Sequence, residues 1–164
     1  MSEKIEKGAI LLQVRAELSR QLVALAQALQ SATDGATDDQ AKPENKYDTR
    51  ALELSYLAAG QTDRIEALRQ VIGQLAFWKP PQGMTAAGPG ALIRAEGQRA
   101  APWLFIVPFS ASMAVQVGGQ TVQVLSAQAP LAKALLGKQA GDIVVWGAGP
   151  QLREIEILAV DPSA

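Results

Sequence analysis

Neither cysteine nor histidine occurs among the 164 residues of this chain. Without cysteine, disulfides and zinc–thiolate sites are excluded. Without histidine, so are the commonest general base, most zinc chemistry and every Ser-His or Cys-His nucleophilic arrangement. Aromatic residues make up only 5% of the chain, and alanine and leucine dominate, which favours helix-rich packing over an aromatic-lined ligand pocket. The formal net charge is −1, so no global electrostatic pull draws the chain toward nucleic acid or an anionic membrane. No window approaches the roughly 18 apolar residues a bilayer-spanning helix needs. The opening MSEKIEKGAILLQV has a lysine flank but neither a sustained apolar core nor a small-residue cleavage site, so it is not a secretory signal. A soluble, cytoplasmic protein with no membrane partner is expected.

What is present divides the chain. Hydrophobic residues are 48%, too many for a wholly disordered polymer. Leu11, Val14, Leu18, Leu22, Leu25 and Leu29 recur every three or four positions, the stripe of an amphipathic helix, and Thr33-Asp34-Gly35 reads as its stop. A second stripe follows in Leu54, Leu57, Leu68, Val71 and Leu75, with Ile65 and Ile72, interrupted midway by Gln61 and Arg64. Two helices of about 30 residues, each about 45 Å long and joined by a loop, predict an antiparallel hairpin. Segment 79–90, KPPQGMTAAGPG, contains three prolines and three glycines and cannot continue a helix. The predicted organisation is a helical hairpin over 1–79, a linker over 80–90 and a C-terminal domain over 91–164.

That last region reads as strands at 91–96, 103–107, 114–117, 121–125, 143–146 and 153–160. Gly118-Gly119 between alternating apolar residues is a hairpin signal, and no helix start follows that would make it a phosphate loop. The expected fold class is α+β, an antiparallel sheet carrying one short helix behind the helical hairpin. Trp103, Phe105, Phe109 and Trp146 fall on strand positions, where aromatics fill a core more often than a pocket.

Charge is uneven. Positions 34–48 hold Asp34, Asp38, Asp39, Glu44 and Asp48 against Lys42 and Lys46, a local net of −3 that leaves +2 for the remainder. These acids sit at the expected tip of the hairpin. Carboxylates there can deliver oxygen ligands to a hard cation such as Mg²⁺ in a remote cavity. Polar, acidic loops between helices are also ordinary, and acids near Pro43 favour the positive end of the following helix.

The most distinctive run is 126–142, SAQAPLAKALLGKQAGD. Pro130 opens a short helix with its fixed φ, Leu131, Leu135 and Leu136 share a face, and Gly137 stands where a left-handed cap would end it. This wording resembles the C-terminal domain of the bacterial Gre transcript-cleavage factors, whose run is Ser-Pro-Leu-Ala/Gly-x-Ala-Leu-Leu-Gly-Lys-x-x-Gly-Asp. Ala129 occupies the position of the family's serine. The tip of the Gre hairpin carries Asp-x-x-Glu-Asn-x-Glu-Tyr. Here Glu44-Asn45 matches, Ala41 stands at the first acidic position, and Tyr47-Asp48 reverses the order of acid and tyrosine.

The resemblance implies an FKBP-like C-terminal fold and a role in transcription, with DNA binding, exerted on bacterial RNA polymerase. The hairpin would enter the secondary channel and lend Glu44, with Asp38, Asp39 and Asp48, to the polymerase Mg²⁺. Nascent RNA would be contacted indirectly, and cleavage of backtracked RNA stimulated. The chain would bind no cofactor alone, take no small-molecule substrate and have no catalytic residues of its own. The family's docking surface maps to Ser126, Ala129, Pro130 and Leu131, although Pro130 and Leu131 also serve simply to start and anchor the helix. Lys133 and Lys138 read as solvated helix-face charges, and Tyr47 and Tyr56 as hairpin packing. Three other readings stand beside this one: a non-cleaving competitor at the same channel, an FKBP-like prolyl isomerase or chaperone, and a scaffold whose hairpin pairs with another coiled coil.

Overall fold

The structure, a computed structural model, describes residues 4–37, 50–97 and 102–162. Two long helices come first, α1 (Lys7–Thr37) and α2 (Arg50–Phe77). Six strands follow: β1 (Leu92–Gly97), β2 (Trp103–Val107), β3 (Met113–Val117), β4 (Gln120–Ser126), β5 (Ile143–Trp146) and β6 (Arg153–Val160). A short helix, α3 (Pro130–Leu135), lies between β4 and β5. Helices followed by a sheet with one short helix is the expected class.

The chain forms two compact units. One is Ala16–Gly73, which holds most of α1 and α2. Within it Leu18, Ile65 and Val71 are buried, and Leu22, Leu25, Leu29 and Leu68 are half-buried, so these members of the predicted stripes face inward; the side chains of Leu54 and Leu57 lie outside the described residues. Of the two residues breaking the second stripe, Arg64 is exposed. Gln61 is half-buried, and its carbonyl Oε1 has no hydrogen-bond partner among the described residues. Helix α1 runs past the expected stop at Thr33-Asp34-Gly35, to Thr37.

The other unit joins Met1–Arg15 to Gln74–Ala164. Here α1 buries Ile10 completely and leaves Leu11 half-exposed, so the stripe through Val14 and Leu18 begins at Ile10 rather than Leu11. The sheet order is β3-β4-β2-β1-β6-β5. All neighbours are antiparallel except β2 and β4, which pair in parallel from Trp103–Val122 to Val107–Ser126. The expected wholly antiparallel sheet is therefore a mixed one. After β2, the loop over 108–112 carries the chain past the neighbouring strand position. The tight turn at Gly118-Gly119, with φ of 56° and 76°, then returns β4 into that slot, parallel to β2.

One sheet face packs Ile93, Leu104, Ile106, Leu125, Ile155 and Ile157 against Ala132 and Leu135 of α3. Full burial of each large aliphatic side chain contributes about 1.5–3 kcal/mol. Residues alternating with these point to the opposite face. There Phe105, Val107, Val122 and Val124 are fully buried, and the Trp78 ring lies 6.1 Å from Phe105 and 5.6 Å, edge-on, from Phe109.

Segment 80–90, predicted as a linker, is built into this unit. Gly90 N–H donates to the Ile106 carbonyl at 2.7 Å, and Ala87, Gly88 and Gly90 are buried. Its prolines and glycines end α2, as expected, but the chain beyond them is held by backbone hydrogen bonds rather than left free.

Candidate functional site

The run that singled out positions 126–142 folds into a turn, a helix and a second turn, and most of its residues have local work. Ser126 ends β4. Its hydroxyl oxygen accepts the Gln128 N–H at 3.3 Å, its carbonyl accepts the Ala129 N–H at 2.9 Å, and its own N–H donates to the Ser112 hydroxyl at 3.1 Å. The Ala127 N–H reaches the Val107 carbonyl at 2.8 Å, tying the turn to the end of β2. Ala129 is the N-cap of α3, with extended φ −65° and ψ 145°, and provides no side-chain cap. Pro130, at the first helical position, is exposed; Leu131 is half-buried against the α3–sheet core.

At the other end Gly137 has φ +80°, the left-handed conformation the spacing predicts. Its N–H donates to the Ala87 carbonyl at 2.9 Å, and the Ala87 N–H donates to the Lys138 carbonyl at 2.7 Å. Segment 80–90 thus clasps the end of α3. Gly141, with φ +93°, donates its N–H to the Ile157 carbonyl, and the Asp142 carboxylate accepts the Gln139 N–H at 2.8 Å. The Gly-Lys-x-x-Gly-Asp portion of the run is turn chemistry. Pro130 is exposed, beside the half-buried Ser126, Ala129 and Leu131, between the end of β4 and the first turn of α3.

Lys133 and Lys138 are exposed and form no ion pair among the described residues. The aromatics do not converge on one pocket. Trp103, Phe105 and Phe109 are buried on the face away from α3, and Trp146 packs at the edge of the α3 core. Asp38, Asp39, Glu44, Tyr47 and Asp48 lie outside the described residues, and so does Ala41. Among the described residues, no group of three or more Asp or Glu side chains could hold a metal ion, and no helix is long and apolar enough to cross a membrane.

Residues 116–162, from β3 through α3 to the end of β6, match the sequence model described as "Transcription elongation factor, GreA/GreB, C-term". This part of the chain is similar to the C-terminal domain of Gre-type factors. Among curated proteins, none is significantly similar to the sequence. Similar solved structures include the GreA factor homolog 1 (Gfh1) of Thermus thermophilus, 20% identical, with 90% of this chain and 94% of that one covered at a TM-score of 0.37. A second structure of the transcription factor Gfh1 is 19% identical over 99% of this chain and 100% of that one, at 0.38. The elongation factor GreA/GreB of Nitrosomonas europaea is 22% identical over 67% and 92%, at 0.31.

Three residues that tie this unit together, two of them outside the matched span, have no signal in the sequence. Ala87 and the Lys7–Asp161 pair carry no motif. Lys7 sits in an ordinary lysine-flanked helix start, and only its tertiary surroundings distinguish it from Lys4.

Proposed function

We propose that this protein is a Gre-like transcription elongation factor that binds bacterial RNA polymerase through its secondary channel and modulates elongation. The observation that carries the reading is the family match over residues 116–162, which includes the turn bearing Ser126, Ala129, Pro130 and Leu131. These four residues are the proposed docking contact on the polymerase, in a C-terminal domain of FKBP-like type. The helices α1 and α2 form the proposed channel-entering hairpin. The factor is an accessory to the polymerase active site rather than an enzyme itself.

Glu44, with Asp38, Asp39 and Asp48, supplies carboxylate oxygens, the donor class that Mg²⁺ takes. These carboxylates would hold a Mg²⁺ shared with the polymerase, which would supply activation of water for phosphodiester cleavage. The chain's own part is to bring those oxygens to the site and to hold the hairpin in the channel.

One observation favours a second reading, a competitor that occupies the channel without stimulating cleavage. Ala41 removes the first acid of the Gre tip pattern, and Tyr47-Asp48 reverses its last two positions. A single assay separates the two: backtracked bacterial polymerase is incubated with the protein and released 3′ RNA is measured. Fragment release that falls on Glu44→Ala supports cleavage. Polymerase binding without release supports the competitor. Absence of polymerase binding defeats both.

A further inference from the structure

The sheet face opposite α3 is filled over β2 and β4 but open over β5, β6 and the end of β1 at Glu96. Ile143 and Val145 in β5 are 59% and 49% exposed, and Leu152, just before β6, is 59% exposed. Strand register sets Ile143 beside Glu156, Val145 beside Glu154, and Glu156 in turn beside Glu96 of β1. Because facing residues share a side, apolar and acidic groups lie together on this surface. They form a groove of about 550 Å³ with an aliphatic floor and three carboxylates along it; among the described residues, Arg153 is its one cationic lining residue.

Two features of this groove are costly as they stand. Like charges directly opposite one another, such as Glu96 and Glu156, destabilise a strand pair. None of the three glutamates forms an ion pair among the described residues. The aliphatic floor is exposed among the described residues, although Phe105, Val107, Val122 and Val124 on the same sheet face are buried. A partner bearing both cations and aliphatic groups relieves both at once. The carboxylates repel phosphate, so nucleic acid and anionic lipid do not fit. Strand β5 is the outermost in the sheet, so no further strand obstructs the approach.

We propose that the open face of β5 and β6 docks a cationic, aliphatic-bearing segment of another protein. This surface lies across the sheet from α3 and the 126–131 turn, and the proposal stands independently of polymerase binding.

The test uses the full chain, ¹⁵N-labelled and titrated with a short synthetic peptide of alternating lysine and leucine. Amide shifts are expected to cluster at Glu96, in β5 and over 152–158. Glu154→Lys with Glu156→Lys should weaken binding by at least about tenfold, as reversed charges across a contact do. Glu154→Gln with Glu156→Gln is the gentler pair if charge reversal disturbs folding. Ile143→Ser should weaken binding as well, and added salt should weaken it further. The proposal is overturned if a glutamate–leucine peptide binds the same amides equally well, or if the shifts map elsewhere. It also fails if the charge variants bind unchanged. Self-association through these same amides, seen by sedimentation at rising concentration, would assign the face to a second copy and overturn it too.

Discussion

Lys7 and Asp161, 154 positions apart, form a buried ion pair: Nζ lies 2.8 Å from Oδ2, and each side chain is only 4% exposed. The ammonium also donates to the Pro81 carbonyl at 2.6 Å. The carboxylate accepts the Met84 N–H on Oδ2 and the Leu92 N–H on Oδ1, each at 2.8 Å. Asp161 itself adopts φ +46°, which aspartate tolerates better than most residues, and its N–H donates to the Leu92 carbonyl. One pair therefore joins the start of α1, the segment after α2, the start of β1 and the end of β6.

Removing one partner of a buried pair leaves an uncompensated charge, and Asp161→Ala is expected to cost about 3–5 kcal/mol. It also strips two backbone N–H groups of their acceptor. Lys7→Met should cost less, because those two donors still satisfy the carboxylate. Urea unfolding of both variants checks the order, and a larger loss for Lys7→Met would refute this account. Added salt should not abolish the difference, since buried charges are weakly screened.

Ala129 has the backbone of a good N-cap and no cap to offer. Ala129→Ser should stabilise the protein by about 0.5–1 kcal/mol through a hydroxyl bond to a first-turn N–H. Thermal unfolding measures it. No gain would mean that the half-buried site cannot seat the hydroxyl in cap geometry.

Phe77 and Trp78 are neighbours with opposite roles. Phe77 is 89% exposed, whereas the Trp78 ring packs on Phe105 and Phe109. Phe77→Ser should change stability by no more than about 0.5 kcal/mol. Trp78→Ala should cost about 2–4 kcal/mol, somewhat less than for a fully buried aromatic because Trp78 is half-buried. Comparable losses in the two variants would contradict the assigned packing.

Pro130 tests docking apart from folding. It is exposed, so Pro130→Ala should leave the unfolding midpoint nearly unchanged while weakening polymerase binding by about tenfold, a 1.4 kcal/mol contact. Leu131→Ala should lower both, since Leu131 also packs on the α3 core. A Pro130→Ala variant that binds polymerase normally would move the docking surface away from this turn.

Local patterns read correctly for several strands and for the turns around α3, whereas the stop signal at Thr33-Asp34-Gly35 does not end α1, which continues to Thr37. The strands at 103–107, 143–146 and 153–160 follow from apolar runs and period-two alternation. Pro130 and Gly137 bracket α3 because a fixed φ suits a first helical turn and a left-handed residue ends one. The slip from Ile10 to Leu11 at the start of α1 has the same explanation in reverse. Both fit the repeat of three and four, and only the packing around Met1–Arg15 distinguishes them.

The sequence by itself thus determined the order of helices and strands, the two turns around α3 and the family wording between them. Only the tertiary structure decided that β4 lies parallel to β2 and that segment 80–90 clasps α3. The same holds for the meeting of Lys7 with Asp161 and for which half of a sheet face stays open. Periodicity and turn chemistry act over a few residues, whereas strand neighbours, buried charge pairs and uncovered faces depend on which distant segments share a core.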